Sequence, residues 1–382
     1  MPVNKIKCNR KEKAYKRIIC DLLVIHRNKG SNSGRPPKLS NEFIVNRIFL
    51  VLLRGQTWKE VEVEGLCEES VIRKKYNMMV KEGIIDAAHK ILFDKYKSHR
   101  RLKFLHIDSA CIQNVNNSEI VDYYYKIQSK KQLKLTIVSD LNLIPLSYHI
   151  SQPKINDSAA IPMVVKNLDP NILAKNVDLG GDKGYQTIKK VYHKKNKAGE
   201  TITLNVYASR KKNQRCSECS GCKACKKVVK KKKTDCKSKC KNKKDKPLCE
   251  VCESNALINR CEKCKKCLAC LPFGACKNET CKSDKKCDRC HEIKKARDDA
   301  KPAVLKTRTK VENSFCKLFR SHKRLNRVYD RKKENYEGFL QMAISFMILG
   351  VMYDTQFDEC DPTEDEDIDI DDIICQINAI VA

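Results

Sequence analysis

Three acidic residues, far apart in the chain, have the residue types and surroundings that metal-dependent chemistry needs, and Asp182 is the clearest of them. It follows a short apolar run, 177–179, and two glycines, and it precedes Gly184-Tyr185. This pattern predicts a buried strand that ends at a carboxylate before a turn. Open α/β sheets bind ligands at the carboxyl ends of their strands. Glycines there would let the backbone bend sharply around Asp182 and leave room for a ligand.

Asp108 and Glu312 complete the set. Asp108 ends the apolar segment 104–107, a second predicted strand, and Glu312 lies in a predicted helix over 304–318. The spacing in that helix predicts one packed face that consists of Val311, Phe315 and Leu318. It places Glu312 on the neighbouring edge together with Arg308, one turn earlier, where the arginine could hold a phosphate or orient the glutamate.

Three such carboxylates can hold two divalent cations about 4 Å apart. One cation makes water or a 3′-hydroxyl nucleophilic, and the other stabilises the leaving oxygen. Oxygen ligands favour Mg²⁺ or Mn²⁺ over zinc. Three other acids compete for these roles. Asp140 is predicted to be structural in a hairpin turn, Asp157 could cap the helix after it, and Asp178 is a backup on the strand of Asp182.

Sixteen of the 23 cysteines lie between positions 216 and 290, in two units of similar spacing. The predicted zinc ligands are Cys216, Cys219, Cys222, Cys225, Cys236, Cys240, Cys249, Cys252, Cys261, Cys264, Cys267, Cys270, Cys276, Cys281, Cys287 and Cys290. Eight cysteines per unit allow two tetrahedral sites each, up to four Zn²⁺ ions in all. The pairing of these cysteines stays open. An iron–sulfur cluster and disulfides are the alternatives to zinc, and the absence of a trailing Cys-Pro disfavours the cluster.

The formal net charge of +31 implies a polyanionic partner, for which nucleic acid is the simplest choice. A membrane surface is the weaker alternative, because no apolar run reaches the ~18 residues of a spanning helix and no signal peptide opens the chain. CxxC clusters in a long chain favour a reducing compartment. We therefore expect an intracellular protein that works where DNA lies, in a nucleoid or a nucleus.

The N-terminal part of the chain is basic. Residues 1–38 are predicted to be a basic segment with a helix over 11–26 and a linker, in which Arg35 could enter a minor groove or simply be solvated. Residues 39–98 are predicted to form short helices that begin at the N-cap Ser40, either a helix-turn-helix-like DNA-binding domain or a plain bundle with a basic face. A third helix would present Arg73, Lys74 and Lys75 to DNA phosphates.

The remaining segments alternate between strand and helix patterns and predict an α/β core. The predicted strands are 104–107, 133–139, 146–151, 177–181 and 201–207, and the predicted helices are 158–168 and 186–195. The core therefore covers residues 99–207, is interrupted by the cysteine- and lysine-rich insertion 208–300, and resumes at 301–353 with the Glu312 helix and an apolar helix. Residues 354–382 are an acidic tail, either solubilising or able to shield the basic surface.

This order of motifs resembles the DDE transposases of bacterial insertion sequences. The resemblance depends on strand–Asp108, on Asp182-Lys183-Gly184-Tyr185 and on Arg308-xxx-Glu312 with Phe315. The N-terminal pieces Gly34–Leu39, Gly55–Trp58 and Val71–Gly83 and the segment Arg324–Arg331 are also similar, so that most of 34–350 outside the insertion is covered. The resemblance implies an RNase H-like mixed-sheet core, a metal-bound triad, transposon-end and target DNA as double-stranded partners, and a homodimer on DNA.

Two positions depart from the family pattern. Members often carry a tyrosine before the arginine and a basic residue seven positions after the glutamate, where this chain has Leu305 and Phe319. Binding of the terminal phosphate is therefore expected to be either shifted, to nearby Lys317 and Arg320, or weakened. Lys183, beside Asp182, is either a further phosphate contact or a surface lysine.

The sequence thus predicts a DNA transposase that cuts at transposon ends and joins a 3′-hydroxyl to target DNA. Two rival functions stay open. One is a non-catalytic DNA-binding protein on the same fold with a zinc module, and the other is a Mg²⁺-dependent nuclease without strand joining. The complete triad argues against the first rival, and an assay of joining separates the second.

Overall fold

The structure is a computed structural model of the full chain. It describes residues 3–29, 38–97, 100–115, 122–123, 131–186, 191–208 and 302–359. The chain divides into two units, residues 1–206 with 307–382 and residues 207–306. Of the second unit, the described residues are the end of one strand and the stretch from Pro302 to Lys306. The elements below otherwise belong to the first unit.

Four helices precede the sheet. They are α1 (Val3–Lys29), α2 (Asn41–Arg54), α3 (Glu69–Lys81) and α4 (Ile84–Lys97). The Ser40 hydroxyl caps α2 by accepting from the backbone N–H of Phe43 at 3.1 Å, as predicted. Gly55 ends α2 with φ of 69°, a left-handed conformation that favours glycine. The first helix is much longer than the predicted 11–26.

Within the described part of the chain, a sheet of eight strands follows. Its strands are β1 (Leu102–Asn114), β2 (Asp122–Tyr123), β3 (Lys131–Ser139), β4 (Pro145–Ser151), β5 (Leu173–Gly181), β6 (Val191–Lys195), β7 (Thr201–Ala208) and β8 (Arg327–Val328). The strand order is β2-β3-β1-β5-β7-β6, with β4 also paired to β3 and β8 to β1. β1 is antiparallel to β3 and parallel to β5, so the sheet is mixed, as the α/β prediction requires. The core is consistent with an RNase H-like arrangement.

The first strand does not end at Asp108, contrary to the prediction. β1 continues to Asn114, because its pairing with β3 runs on through Gln113↔Gln132. What ends near Asp108 is the pairing with β5, whose last pair is Ile107↔Gly181. Among the described residues, β1 has no strand partner on this side between Asp108 and Ile112, and β8 pairs with it from Gln113.

The predicted helix over 186–195 was wrong. Residues 191–195 form β6, which pairs antiparallel with β7 through Tyr192↔Leu204. A turn at Gly199, with φ of 79°, joins the two strands. Burial alternates along this hairpin, with Tyr192 and Leu204 inside, so cross-strand pairing determined the structure rather than local helix preference.

The helix after β4 agrees with the sequence prediction. It is α5 (Asp157–Asn167), close to the predicted 158–168. Asn156 occupies its N-cap position, so Asp157 does not cap it. Asp157 lies in the first turn and forms an ion pair with Lys134 instead.

The predicted helix over 304–318 is two helices. They are α6 (Ala303–Lys306) and α7 (Thr309–Ser321), with the break at Thr307 and Arg308. The apolar helix is α8 (Lys333–Glu359), which packs against α4 and α1. Its segment Lys333–Tyr353 is long and apolar enough to cross a membrane, which corrects the expectation that no such segment exists. Of the most apolar 18-residue window in that segment, 72% is buried within the protein, as in the core helix of a globular domain.

Candidate active site

Asp108 and Asp182 occupy adjacent positions on two parallel strands. The last β1–β5 pair is Ile107↔Gly181, and the two aspartates are the next residues of their chains. Neighbouring strands lie about 4.8 Å apart, so the two backbones present their carboxylates side by side. Asp182 then begins a 3₁₀ turn over Lys183–Tyr185. The sequence predicted that each aspartate ends a strand, which holds for Asp182 after β5 and is wrong for Asp108, which lies inside β1.

The surroundings of Asp108 concentrate negative charge. Burial raises the pKa of Asp108 to about 6, against the opposing effects of the Ser109 N–H and the Arg308 guanidinium. The Ser109 N–H donates to Oδ1 of Asp108 at 2.8 Å. The carboxylates of Glu312 and Asp182 raise this pKa further, so both act on Asp108 through space. The three predicted acids therefore form one electrostatic group.

Glu312 faces Arg308 rather than the aspartates. Nη1 of Arg308 lies 2.8 Å from Oε1 of Glu312, and the glutamate side chain is 49% exposed. Within the part of the chain that the structure describes, no three His, Cys, Asp or Glu side chains are close enough to hold a metal ion. The structure thus brings the triad into electrostatic range without closing it into a metal-holding cluster.

Two hydrogen bonds fix the start of α7 beside the sheet. Thr307 Oγ1 lies 2.9 Å from Nε2 of His106, a buried residue on β1 two positions before Asp108. The Ser314 hydroxyl donates to the carbonyl of Leu143 at 2.7 Å. Between these contacts the predicted apolar face is buried, as expected; its members are Val311, Phe315 and Leu318. Glu312 and Arg308 lie on the edge that this packing leaves accessible.

The glycines around Asp182 serve close packing instead of the sharp bend and ligand space expected from the sequence. Neither Gly181 nor Gly184 has positive φ. A Cβ on Gly181 would lie 2.9 Å from Ile107 and Tyr185, and one on Gly184 would lie 2.1 Å from Oδ2 of Asp157. The space beside each glycine is therefore filled by protein atoms.

A chain of hydroxyl groups connects the segments of the two aspartates, and sequence reasoning missed it. The Tyr185 hydroxyl lies 2.5 Å from Oγ of Ser109, which lies 2.8 Å from Oγ1 of Thr136. Burial raises the pKa of Tyr185, so this phenol stays neutral at physiological pH. Tyr185 was visible in the motif, but its partners come from strands that only the fold brings near. The contact fixes the turn after Asp182 to the residue after Asp108.

The rival acids have structural partners. Asp140 is buried and accepts from the Tyr96 hydroxyl and from the backbone N–H groups of Asn142 and Ile144, as predicted for a turn residue. Asp178 pairs level with Phe104, about 13 Å down the strand from Asp182. Asp157 lies against Gly184 and is neutralised by Lys134, so it supports the Asp182 turn.

The predicted basic contacts differ in exposure. Lys183, Lys74 and Arg320 are exposed, and Arg73 is exposed but paired with Glu69 at 3.7 Å. Two others, Lys317 and Lys75, are partly buried. Burial and the nearby Arg27 lower the pKa of Lys75. Arg35 lies outside the described residues.

The sixteen candidate zinc ligands between Cys216 and Cys290 lie outside the described residues, as does most of the acidic tail. Cys20, Cys67, Cys111 and Cys316 are free thiols. Cys67 is buried, and Cys111 and Cys316 are exposed.

Comparison with known proteins gives one finding. A family model described as a transposase DDE domain matches residues 99–349, well over half of the chain. The match includes Asp108, Asp182 and the helix of Glu312. No curated protein and no solved structure matches this chain.

Proposed function

Because the chain belongs to the transposase DDE domain family, we propose that it cleaves DNA at the ends of a transposable element and joins the released 3′-hydroxyl to target DNA. The observation that carries this proposal is the register of β1 and β5. It places Asp108 and Asp182 directly after the last parallel pair, with Glu312 in electrostatic range of Asp108.

The residues fit a pair of hard divalent cations. All three side chains offer oxygen ligands, which suit Mg²⁺ or Mn²⁺. Mutual repulsion and burial hold the pKa of Asp108 at about 6, a cost that a bound cation would remove. When bound, such a pair would activate the attacking hydroxyl and stabilise the leaving oxygen.

The protein's own groups would prepare this site in two ways. Arg308 neutralises the charge of Glu312 before a metal ion binds. Both side chains are partly exposed to solvent, so they can separate. Arg308 would then be free to bind a DNA phosphate, while Lys183, exposed beside Asp182, would bind a second one. His106 and Tyr185 keep the backbone around Asp108 in place during this change.

The other parts of the chain serve DNA binding in this proposal. The N-terminal helices would contact DNA phosphates through Arg73 and Lys74, with Arg35 in the preceding segment. The cysteine-rich insertion would bind up to four Zn²⁺ ions and, through its lysines, DNA or the second copy of a dimer. Such a protein acts on double-stranded DNA wherever the element resides.

Cleavage assays test the proposal directly. The full-length protein, incubated with Mg²⁺ and DNA that flanks its own coding region, should nick one strand and then join that strand to a second duplex. Asp182→Asn should lower both activities by at least about a hundredfold, because it removes a metal ligand. Asp178→Asn is the matched control, since it makes the same change on the same strand away from the site. Full activity in Asp182→Asn would contradict the proposal.

The Arg308–Glu312 ion pair favours a second candidate function, that of a DNA-binding protein in which the arginine replaces the metal. Calorimetric titration with Mg²⁺ separates the two. Binding that Asp108→Asn abolishes supports the enzyme, and an absence of binding in the presence of DNA supports the binding protein. Cleavage without joining would instead identify a nuclease.

A further inference from the structure

A cavity of about 620 Å³ lies between the N-terminal helices and the segment after β8. Its volume is within the range of small-molecule sites. Trp58, Arg73 on α3 and Tyr329, which follows β8, are among its lining residues. Neither the triad nor the hydroxyl chain lines it, so the chemistry above leaves it without a role.

Its wall contains a buried ion pair with unused hydrogen-bonding atoms. Arg324 and Asp330 are 3% and 7% exposed, and Nη2 of Arg324 donates to Oδ1 of Asp330 at 3.0 Å. Among the described residues, neither Nε of Arg324 nor Oδ2 of Asp330 has a hydrogen-bond partner. A buried donor and a buried acceptor without partners are costly, and they are typical of a place that a polar ligand completes.

Aromatic rings surround this arginine. Its guanidinium lies 4.8 Å from the ring of Tyr329 and 5.8 Å from that of Trp58. Trp58 is held in turn against Tyr76 and Phe339 at 5.5 and 6.0 Å between ring centroids. Fixed aromatic and guanidinium planes are the surfaces on which unpaired nucleobases stack.

The rest of the lining is basic. Four further cations line the cavity, namely Lys59, Arg73, Arg331 and Lys332, against one further acid, Glu69. Such an excess attracts phosphate groups. The combination of stacking planes, a polar pair and a basic rim matches a nucleotide better than an apolar ligand.

The position of the cavity fits a DNA strand that also reaches the triad. β8 pairs in parallel with the far end of β1, through Asn114↔Val328. The distance along β1 from Asp108 to Asn114 is about 20 Å at 3.3 Å per residue. This corresponds to about six base pairs of duplex at 3.4 Å each.

We propose that this cavity binds one unpaired nucleotide of the DNA substrate, with its base on the partly exposed rings of Trp58 and Tyr329, which the buried Arg324 holds in place, and its phosphate on the basic rim. The proposal rests on the proposed function for the identity of the substrate as DNA. It does not depend on cleavage, because no triad residue lines the cavity.

Trp58 is the only tryptophan of the chain, so intrinsic tryptophan fluorescence reports on this cavity alone. Titration of the full-length protein with a hexathymidylate should quench this fluorescence saturably. A hexamer of the same backbone without bases should quench it at least about tenfold more weakly, since stacking supplies much of the affinity. Equal quenching by both oligomers, or none by either, would overturn the proposal.

Two variants keep the test specific. Tyr329→Leu should weaken hexathymidylate binding about tenfold while the protein keeps its far-ultraviolet circular dichroism. Arg73→Gln should weaken it as well, whereas the matched Arg54→Gln, an exposed arginine that does not line the cavity, should not. If both cavity variants bind like the wild type, the proposal is wrong.

Asp182→Asn separates this proposal from the proposed function. It should leave fluorescence quenching unchanged while it abolishes cleavage. If the wild type shows quenching but no cleavage, the proposed transposase activity is wrong and the proposed nucleotide site is supported. If the wild type shows cleavage but no quenching, only the proposed nucleotide site is wrong.

Discussion

Two arginine–carboxylate pairs of similar length have opposite surroundings in this protein. Arg308 and Glu312 lie 2.8 Å apart with side chains 25% and 49% exposed, and Arg324 and Asp330 lie 3.0 Å apart with side chains 3% and 6% exposed. Water competes with the first pair and is absent from the second. The comparison shows that distance alone does not assign a role: the exposed pair can open for a metal or a phosphate, and the buried pair is a fixed part of the cavity wall.

The most disruptive test of this contrast removes the buried arginine. Arg324→Gln should destabilise the protein by about 3–5 kcal/mol, because it leaves the carboxylate of Asp330 buried without its counter-charge. Chemical denaturation at neutral pH measures the change. A loss below about 1 kcal/mol would show that the two pairs are equivalent and that the contrast is mistaken.

An intermediate effect is expected at Asp108, where burial outweighs the offsetting charge of Arg308. The pKa of Asp108 is about 6 in the folded protein, above the ordinary value of 3.8. Between pH 3.8 and about pH 6, the folded state therefore binds a proton that the unfolded state has released. Stability therefore falls as pH rises from about 4 to 6. Asp108→Asn has no carboxylate to ionise, so it avoids this loss of stability. It should therefore be more stable than the wild type at pH 8, by at most about 3 kcal/mol.

Thermal or urea unfolding at pH 4 and at pH 8, without divalent cations, checks the result. The stability difference between Asp108→Asn and wild type should shrink toward zero at the lower pH. A variant that is less stable than the wild type at pH 8 would show that the charge on Asp108 is already compensated.

The smallest effect on stability is expected at the exposed pair. Arg308→Gln should change the free energy of unfolding by no more than about 1 kcal/mol, as for other solvent-exposed ion pairs. The same variant should bind Mg²⁺ more tightly, because Glu312 loses its competing partner and Asp108 loses a nearby positive charge. Calorimetric titration measures the affinity, and weaker Mg²⁺ binding would mean that Arg308 helps to assemble the metal site.

Much of the site was predictable because its signals are local. The apolar run before Asp182, the face of Val311, Phe315 and Leu318, and the N-cap Ser40 each depend on neighbouring residues alone. Asp140 could also be assigned to a turn from its sequence context. The family match over 99–349 supports the motifs that these patterns suggested.

The errors came from pairing with other segments, one of them the next strand of a local hairpin and the others farther away in the chain. β1 extends beyond Asp108 because β3 supplies partners as far as Gln132, and 191–195 became a strand because β7 pairs with it. The break before α7 coincides with the bond from Thr307 to His106. No local period reveals such partners, and the same reason hid the hydroxyl chain and the cavity.

The bond between His106 and Thr307 joins residues 201 positions apart in the chain. A ribosome that adds about 5–20 residues per second needs roughly 10–40 s to cover that interval. For the later part of this time, after Asp182 has been added, the nascent polypeptide contains both aspartates but lacks the anchored helix that carries Glu312. Translation itself would thus delay any cutting activity until the last third of the chain has emerged.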